Sequence, residues 1–415
     1  MIALFSLFLV WISWRKPSIS LAILLQINII RSVITIDINN ICYGCLEDSH
    51  IFLGAILPIL SMSIIIAKIY YKKQNVKYKI DDFDYFILGL VFTSFIGIFI
   101  SDNLINSLLF WLKLVLLGIS FFFVSKLFFY NTKNIRKEFS LFFRTTLNLA
   151  LILGILSLFF VMYSGKSIWR MTMPGTHPIP YAILMGFASL IYTYSFFDRS
   201  ILGKRKFLFH ISGILSIVLL IMSQTKGVII AAFISLIFFM IGFGLKISMK
   251  WIKNLSLGIL FIIPFFLYYF DFSVIFQRIN EFGSAKDQST NERIQIYFDS
   301  FSIIYDNPIL GVGTDGFQYH SFGSYPHNLF LELITNYGVL GFILTIYFLL
   351  IISFVGLKTW GINNSNILSK IIASLLIFFF IETMFSFTLW MHKGLYLSMA
   401  MYSVYYHYNK KNGIT

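Results

Sequence analysis

A histidine stands where the chain passes from a polar stretch into a long apolar one, in Pro326-His-Asn-Leu-Phe-Leu-Glu332. Histidine is the side chain best suited to accept a proton near neutral pH, so His327 is a candidate general base. The alternative is an ordinary polar residue at the start of an apolar helix, where Pro326 favours the first turn. A zinc site is less favoured, because His320 and His327 lack further ligands at helical spacing and have no cysteine nearby.

A small group of basic residues occurs in loops between apolar segments: Lys166, Arg170, Lys226, Arg278 and Arg293. Guanidinium groups bind phosphate oxygens bidentately, and lysine binds them as a point charge. These residues therefore indicate a ligand that carries phosphate. The alternative is that they snorkel towards water or pair with neighbouring acids such as Glu292 and Asp299.

Three glycines recur in Pro308-Ile-Leu-Gly-Val-Gly-Thr-Asp-Gly-Phe317, between these two groups of residues. Glycine permits positive φ and a close approach of the backbone to a ligand, so this turn is a candidate binding loop. Its G-x-G-x-x-G spacing also occurs in dinucleotide sites. We reject that interpretation, because the turn follows a predicted helix rather than a strand and no βαβ unit surrounds it.

The composition decides which environment holds these residues. Of the 415 residues, 58% are hydrophobic and only 12% are charged, whereas soluble chains have about 25% charged residues. Apolar runs long enough to cross a bilayer follow one another along the chain. We therefore predict an all-α polytopic membrane protein with twelve or thirteen transmembrane helices and one large external loop, and we expect no nucleic-acid partner despite the charge of +14.

The predicted spans are 1–13, 18–36, 51–71, 84–101, 105–126, 146–164, 178–197, 207–223, 227–244, 255–270, 333–356, 367–386 and 388–407. Assigning alternate loops to the two sides places 23 of the 32 lysines and arginines on one side and seven on the other, with Arg31 and Lys113 inside spans. Positive residues are retained in short cytoplasmic loops, so the side with 23 is predicted to be cytoplasmic. His327 and the basic group then face outwards.

One external connection is much longer than a simple turn requires, and it runs from residue 271 to 332. Within it, residues 290–301 predict an amphipathic helix near the membrane surface, with Ile294, Tyr297, Phe298 and Phe301 at helical spacing. We accordingly divide the chain into an N-terminal bundle of about ten spans (1–270), an external catalytic loop (271–332), and C-terminal transmembrane helices with a cytoplasmic tail (333–415).

The order of these motifs resembles the O-antigen ligase/polymerase superfamily. The resemblance lies in Arg293, the turn from Asn307 to Phe317, the stretch Pro326-His-Asn-Leu-Phe-Leu-Glu332, and Gly338-Val-Leu-Gly341. Members are polytopic glycosyltransferases that act on undecaprenyl-diphosphate-linked glycans at the outer face of the bacterial plasma membrane. The resemblance implies a GT-C-like helical architecture, a lipid-linked oligosaccharide as substrate, a chain-length regulator as partner, and neither cofactor nor metal.

The resemblance also implies roles for particular residues. His327 resembles the essential histidine that orients or deprotonates the acceptor hydroxyl, and Arg293 resembles the arginine that binds the donor diphosphate. Lys226 stands where the family often has arginine, and Arg170 and Arg278 complete the predicted set of cations. We assign Asn328 and His320 to substrate binding as well. Aromatic residues in the same loops are candidates to stack on sugars or to anchor at the interface: Trp169, Phe317, Tyr319 and Tyr325.

The residues around His327 favour a Wzy-type polymerase, which transfers the growing glycan to the non-reducing end of the next lipid-linked repeat unit. A ligase that transfers the glycan to lipid A core is the alternative within the family. A lipid-linked glycan transporter is the alternative of another class. Transporters are typically built from paired repeats with broken helices in both halves, and the sequence has no such internal symmetry.

Overall fold

The computed structural model describes residues 2–35, 51–72, 75–164, 171–198, 200–201, 206–243, 288–323, 325–361 and 367–411. All regular elements within these ranges are helical, which confirms the predicted fold class. Among these residues, four helices are long and apolar enough to cross a membrane, and a pair bent by 75° would form a fifth span. The chain is therefore an all-α polytopic membrane protein. The count of twelve or thirteen spans stays a prediction, and the predicted span at 255–270 lies outside the described residues.

The described helices in chain order are α1 (Ile2–Arg15), α2 (Pro17–Leu25), α3 (Ile27–Ile34), α4 (Leu57–Lys72, preceded by a π-helical turn at Phe52–Ile56), α5 (Asp82–Ile98), α6 (Leu104–Lys113), α7 (Ser120–Tyr130, joined to α6 by a π-helical turn at Leu114–Ile119), α8 (Ile135–Ser164), α9 (Pro178–Ser195), α10 (Lys206–Met222), α11 (Lys226–Phe243), α12 (Gln288–Asp306), α13 (Leu329–Gly361), α14 (Ile367–Glu382) and α15 (Lys393–Lys411). Most predicted spans coincide with these helices to within a few residues. The span predicted at 18–36 is instead broken at Gln26 into α2 and α3.

Helix α8 differs most from its prediction, since it begins at Ile135 rather than at 146. The charged side chains in residues 136–144 predict a loop in that stretch. In the structure Arg144 donates hydrogen bonds to the carbonyls of Ile201 (2.7 Å) and Ser200 (2.8 Å). Because backbone carbonyls accept its hydrogen bonds, Arg144 lies on a helix and still has polar partners.

The helices form two compact units, one of residues 1–76 and 128–277 and the other of residues 77–127 and 278–415. The second unit therefore joins α5 and α6 to the C-terminal helices, although about 150 residues separate them in the chain. These units reflect packing, whereas the predicted division at 270 and 332 reflects position relative to the membrane. That division stays a prediction.

Helix α13 is interrupted at Gly338, whose φ of 53° and ψ of −129° are not helical. In a continuous helix the amide of Val339 would donate to the carbonyl of Thr335, four residues earlier. Here Val339 donates to the carbonyl of Ile309 (3.1 Å), and the Thr335 carbonyl accepts from Val312 (3.0 Å). The break thus exchanges one helical hydrogen bond for two bonds to the preceding loop.

The loop that supplies these bonds is the glycine-rich turn at 308–317. Gly311 and Gly313 have φ of 67° and 82°, which confirms the expected positive φ for two of the three glycines, whereas Gly316 has a φ of −73°. The Gly313 amide donates to the carbonyl of Asn336 (2.8 Å), and the Thr314 amide donates to the carbonyl of Gly97 at the end of α5 (2.9 Å). The sequence predicts that the backbone of this turn closely approaches a ligand. In the structure it closely approaches the protein's own helices instead.

We predict that Gly338→Ala destabilises the protein by about 3 kcal/mol, because a methyl group there adds a clash to a backbone conformation that costs about 1–3 kcal/mol by itself. A Cβ at this position would lie 2.5 Å from the carbonyl carbon of Ile309 and 2.8 Å from the Gly311 nitrogen. Unfolding by titration with sodium dodecyl sulfate, followed by tryptophan fluorescence, measures the effect.

Gly175→Ala is the matched control for this prediction. Gly175 also has positive φ, at 71°, but a Cβ added there would have Cβ of Ser32 as its nearest neighbour, at an ordinary contact distance of 3.6 Å. If Gly338→Ala destabilised the protein no more than Gly175→Ala does, tight docking of the loop on the broken helix would be contradicted.

Candidate functional site

Helix α12 carries Arg293 and covers residues that the sequence analysis predicted to be helical. One face is buried: Ile303 packs with Val312 and Phe317, and Ile296 packs against this cluster. The predicted apolar residues lie mainly on another face, where Phe298 is 66% exposed and Phe301 is 61% exposed. The helix therefore has two apolar faces, one of which holds the loop that follows it.

The segment that follows the glycine-rich turn is hydrogen-bonded to α12 and packs against it. Ser321 donates to a carboxylate oxygen of Asp299 (2.7 Å), and Gly323 lies so close to Ile296 that a Cβ on the glycine would be 2.9 Å from its side chain. This attachment fixes the approach of the chain to Tyr325 and His327. Phe317, a candidate for stacking on sugars, is instead 1% exposed and belongs to the core.

His327 has a φ of 55°, a left-handed conformation that is uncommon for residues other than glycine. Its imidazole lies against the ring of Tyr325, with the ring centroids 4.3 Å apart and the planes tilted by 52°. Strained backbone at a residue that bears chemistry is typical of positions where the surroundings enforce one orientation. The candidate base is half-buried and is oriented by a neighbouring aromatic ring.

Arg293 belongs to the same neighbourhood. Burial and the carboxylate of Glu332 raise the pKa of the Tyr325 hydroxyl, while the positive charge of Arg293 lowers it, so both charges act on Tyr325. Arg293 is half-buried, and among the described residues it forms no ion pair. Within that part of the chain the expected alternative, a guanidinium paired with acids of the same loop, is not observed.

Asn328 starts helix α13. Its side-chain oxygen accepts hydrogen bonds from the amides of Phe330 (3.0 Å) and Leu331 (3.2 Å), which satisfies donors that the first turn leaves free. Its side-chain nitrogen donates to the carbonyl of Met384 (3.5 Å). The helix therefore begins after an asparagine cap and not at Pro326, and the predicted contact of Asn328 with substrate stays a prediction.

Glu332 is a buried carboxylate that the sequence analysis gave no role. It is 1% exposed, and it accepts hydrogen bonds from the hydroxyl of Thr388 and from the amide of Leu389 (3.1 and 3.2 Å). The amide of Leu329 also donates to the carbonyl of Thr383 (3.0 Å). The loop between α14 and α15 thus holds the first turn of α13, directly after His327. In the sequence, Glu332 is recognisable as a single acidic residue within an apolar segment.

Asp315 is a second acid near this centre that the sequence analysis did not assign. Burial raises its pKa to about 6, and the positive charge of Lys113 and a hydrogen bond from Gln318 (2.7 Å) oppose that rise. Its charge also acts on Glu332. Lys113 lies at the junction of α6 with the π-helical turn, over the ring of Trp390 at 5.7 Å. The neighbourhood therefore contains a carboxyl group able to exchange a proton near neutral pH.

His320 pairs with Asp102 in the turn between α5 and α6, where its ring nitrogen lies 2.9 Å from a carboxylate oxygen. Beside it, Asn106 donates a hydrogen bond to the hydroxyl of Tyr319 (2.7 Å). Both pairs are exposed to the surroundings. The predicted binding of substrate by His320 stays a prediction, since its partner in the structure belongs to the protein.

The remaining predicted cations belong to the other part of the chain or are not described. Lys226, in the first unit, is the first residue of α11 and follows a turn in which Gln224 has a φ of 51°. The amide of Met171 donates to the carbonyl of Met222 (3.0 Å), so the segment after Arg170 is bonded to the start of this turn. Lys166, Arg170 and Arg278 themselves lie outside the described residues.

We predict that Asn328→Ala lowers stability by about 1 kcal/mol, because the first turn of α13 loses its cap. Asn328→Ser, which restores a capping oxygen, should recover most of that loss and keep activity within about threefold of wild type. Detergent-denaturation curves and an assay of the glycan transfer that the resemblance implies, on the same preparations, measure the two effects. A serine variant with wild-type stability but no activity would instead assign Asn328 to substrate binding.

Comparison with known proteins gives one family. No curated protein and no solved structure matches the chain. Residues 211–346, which include Lys226, Arg293 and His327, match the family model described as O-antigen ligase. This stretch is about a third of the chain and coincides with the segment that bears the motifs noted in the sequence. Over residues 211–346 the chain is therefore similar to the O-antigen ligase family, which supports the resemblance to the O-antigen ligase/polymerase superfamily.

Proposed function

We propose that this protein is a polysaccharide polymerase that transfers a growing glycan from undecaprenyl diphosphate to the next lipid-linked repeat unit. The observation that carries the proposal is the neighbourhood of Tyr325, whose ring lies against the imidazole of His327 and whose hydroxyl is acted on by the charge of Arg293. One group is suited to remove a proton, and the other is suited to bind phosphate oxygens. Family members of the O-antigen ligase type are glycosyltransferase-like enzymes, which agrees with that pair of roles.

The reaction is a displacement at the anomeric carbon of the donor sugar. A hydroxyl oxygen of the acceptor repeat unit forms the new bond to that carbon, and the bond from the carbon to the phosphate oxygen breaks. The electron pair leaves with undecaprenyl diphosphate, and the hydroxyl proton passes to His327. Because diphosphate is already a good leaving group, the protein has to position the hydroxyl, accept its proton and stabilise the departing charge.

Arg293 is assigned to the departing diphosphate. A half-buried guanidinium without an ion-pair partner among the described residues retains its donors for a ligand, and its fork matches two phosphate oxygens. Lys226, Arg170 and Arg278 remain further candidates for diphosphate binding on the strength of the sequence. A position of this centre at the outer face of the bacterial plasma membrane, a chain-length regulator as partner and a GT-C-like architecture belong to the same proposal.

We predict that His327→Ala and Arg293→Ala each reduce glycan elongation by about 10²-fold or more, which is the usual contribution of a general base or of a charge-stabilising donor. His327→Asn is the more selective variant, because asparagine tolerates positive φ better than alanine and removes the base without adding strain. Elongation is measured as the ladder of glycan lengths in a deletion strain that expresses each variant.

Arg136→Ala is the control, since Arg136 is exposed on α8 in the first unit. It should elongate glycan as wild type does, and membrane fractions should contain all variants in equal amounts. Long glycan made by His327→Asn cells at wild-type yield would show that the proton acceptor has been assigned to the wrong residue.

The deletion strain also separates the polymerase from the ligase of the same family. For a polymerase we expect a single repeat unit on lipid A core, because ligation continues while elongation stops. A bare core together with lipid-linked polymer would identify a ligase and overturn this part of the proposal. Electrophoresis of lipopolysaccharide, with mass spectrometry of the lipid-linked fraction, distinguishes the two outcomes.

A further inference from the structure

The second unit has a pocket at the far end of α13 from His327. Its volume is about 100 Å³, and it lies between the start of α5, the last turns of α13 and the C-terminal half of α15. Lys358, which lines it, is next to Thr359, where the apolar span of α13 ends. Tyr402 and Tyr406 of α15 line it as well, and tyrosines are enriched where a membrane protein passes from hydrocarbon to water.

One carboxylate of the pocket is already neutralised by the protein. Asp81 lies 3.0 Å from the ammonium of Lys126, which is fully buried and also pairs with Asp84. Asp81 accepts further hydrogen bonds from the hydroxyl of Ser403 and from a ring nitrogen of His407 (3.3 Å). This network ties α5, α7 and α15 together, so Asp81 is a structural group and not a ligand-binding one.

The other two charges of the pocket, Lys358 and Asp82, belong to no ion pair among the described residues. Lys358 donates a hydrogen bond to the hydroxyl of Tyr406 and lies over the ring of Phe354, 3.8 Å from its centroid. An ammonium has three donors, so this contact leaves donors for a ligand. Asp82, the first residue of α5, is exposed and also lines the pocket.

The surroundings of Lys358 favour a ligand with acyl chains. Three large apolar side chains on the same stretch of α13 are exposed: Leu350 (62%), Phe354 (49%) and Leu357 (67%). They recur at helical spacing and form one stripe that leads to the pocket. In a membrane protein such a stripe faces hydrocarbon, so a ligand with its head in the pocket would have its chains along this stripe.

We propose that the pocket binds the phosphoethanolamine head group of a membrane phospholipid, with the phosphate at Lys358 and the primary ammonium at Asp82. One cation and one carboxylate in the same pocket, neither of them in an ion pair with another described residue, complement a zwitterion. An anionic head group such as phosphatidylglycerol would use Lys358 but would leave Asp82 without a counter-charge. This inference does not depend on the reaction at His327.

The test uses the full-length protein, purified in detergent, stripped of lipid and mixed with equal amounts of phosphatidylethanolamine and phosphatidylglycerol of identical acyl chains. Native mass spectrometry counts the lipids that stay bound. Wild type should retain phosphatidylethanolamine about fivefold better than phosphatidylglycerol. Asp82→Asn should remove about that preference, because it removes the partner of the ammonium, whereas Lys358→Gln should lower the retention of both lipids about fivefold, because both carry the phosphate. Equal retention of the two lipids by wild type would overturn the proposal.

Lys79→Gln is the matched control, because Lys79 is an exposed lysine three residues before Asp82 that does not line the pocket. It should bind lipid as wild type does, whereas a loss equal to that of Lys358→Gln would mean that overall charge and not the pocket determines binding. Glycerophosphoethanolamine, which has the head group without acyl chains, separates a lipid site from a site for a free phosphate compound. Displacement of the lipid by equimolar glycerophosphoethanolamine would contradict the lipid assignment.

Discussion

When a helix of a membrane protein is interrupted, another part of the protein must supply hydrogen-bond partners for the backbone groups that the interruption frees, because hydrocarbon offers none. In this protein the interruption is at Gly338 and the partners come from the glycine-rich turn at 308–317. Amides of the turn bond to the carbonyls of Thr335 and Asn336, and the carbonyl of Ile309 accepts from Val339. The arrangement is possible only where two backbones meet without side chains between them, which accounts for glycine on both sides of the contact.

The position of the candidate site depends on that contact. The turn is fastened to the broken helix at one end and to α5 and α6 by Thr314 at the other, through its hydroxyl to the carbonyl of Ser94 and through its carbonyl to the hydroxyl of Ser107. The chain that leaves the turn then lies along α12 and returns to the start of α13. His327 is in this way held between two fixed points, so its left-handed backbone is imposed by the attachments on either side.

Charged groups in the second unit differ in whether the protein supplies their partners. Lys126 is completely buried between Asp81 and Asp84, and Glu332 is buried with donors from Thr388 and Leu389. These groups stabilise the packing of helices, because a buried polar or charged group is tolerated only with its hydrogen bonds satisfied. Arg293 and Lys358 form no ion pair within the described residues. They lie near opposite ends of α13, and we propose a phosphate group as the partner at each end, from the donor diphosphate and from a phospholipid head.

Much of this protein follows from its sequence because the relevant physics is local. The length of apolar runs determines that the helices belong in a membrane, and the order of Arg293, the glycine turn and the His327 motif led to the superfamily that the match over 211–346 confirms. Only the tertiary structure decided what the glycines are for, since their partner Gly338 is more than twenty residues away and no pattern of spacing reveals a contact between two backbones. Likewise Glu332, Asp315 and Lys358 are single ionisable residues in the sequence. Whether each has a structural or a ligand-binding role depends on whether another segment of the folded chain supplies its partner. Spacing along the chain determines which faces a helix has, whereas folding determines what each face meets.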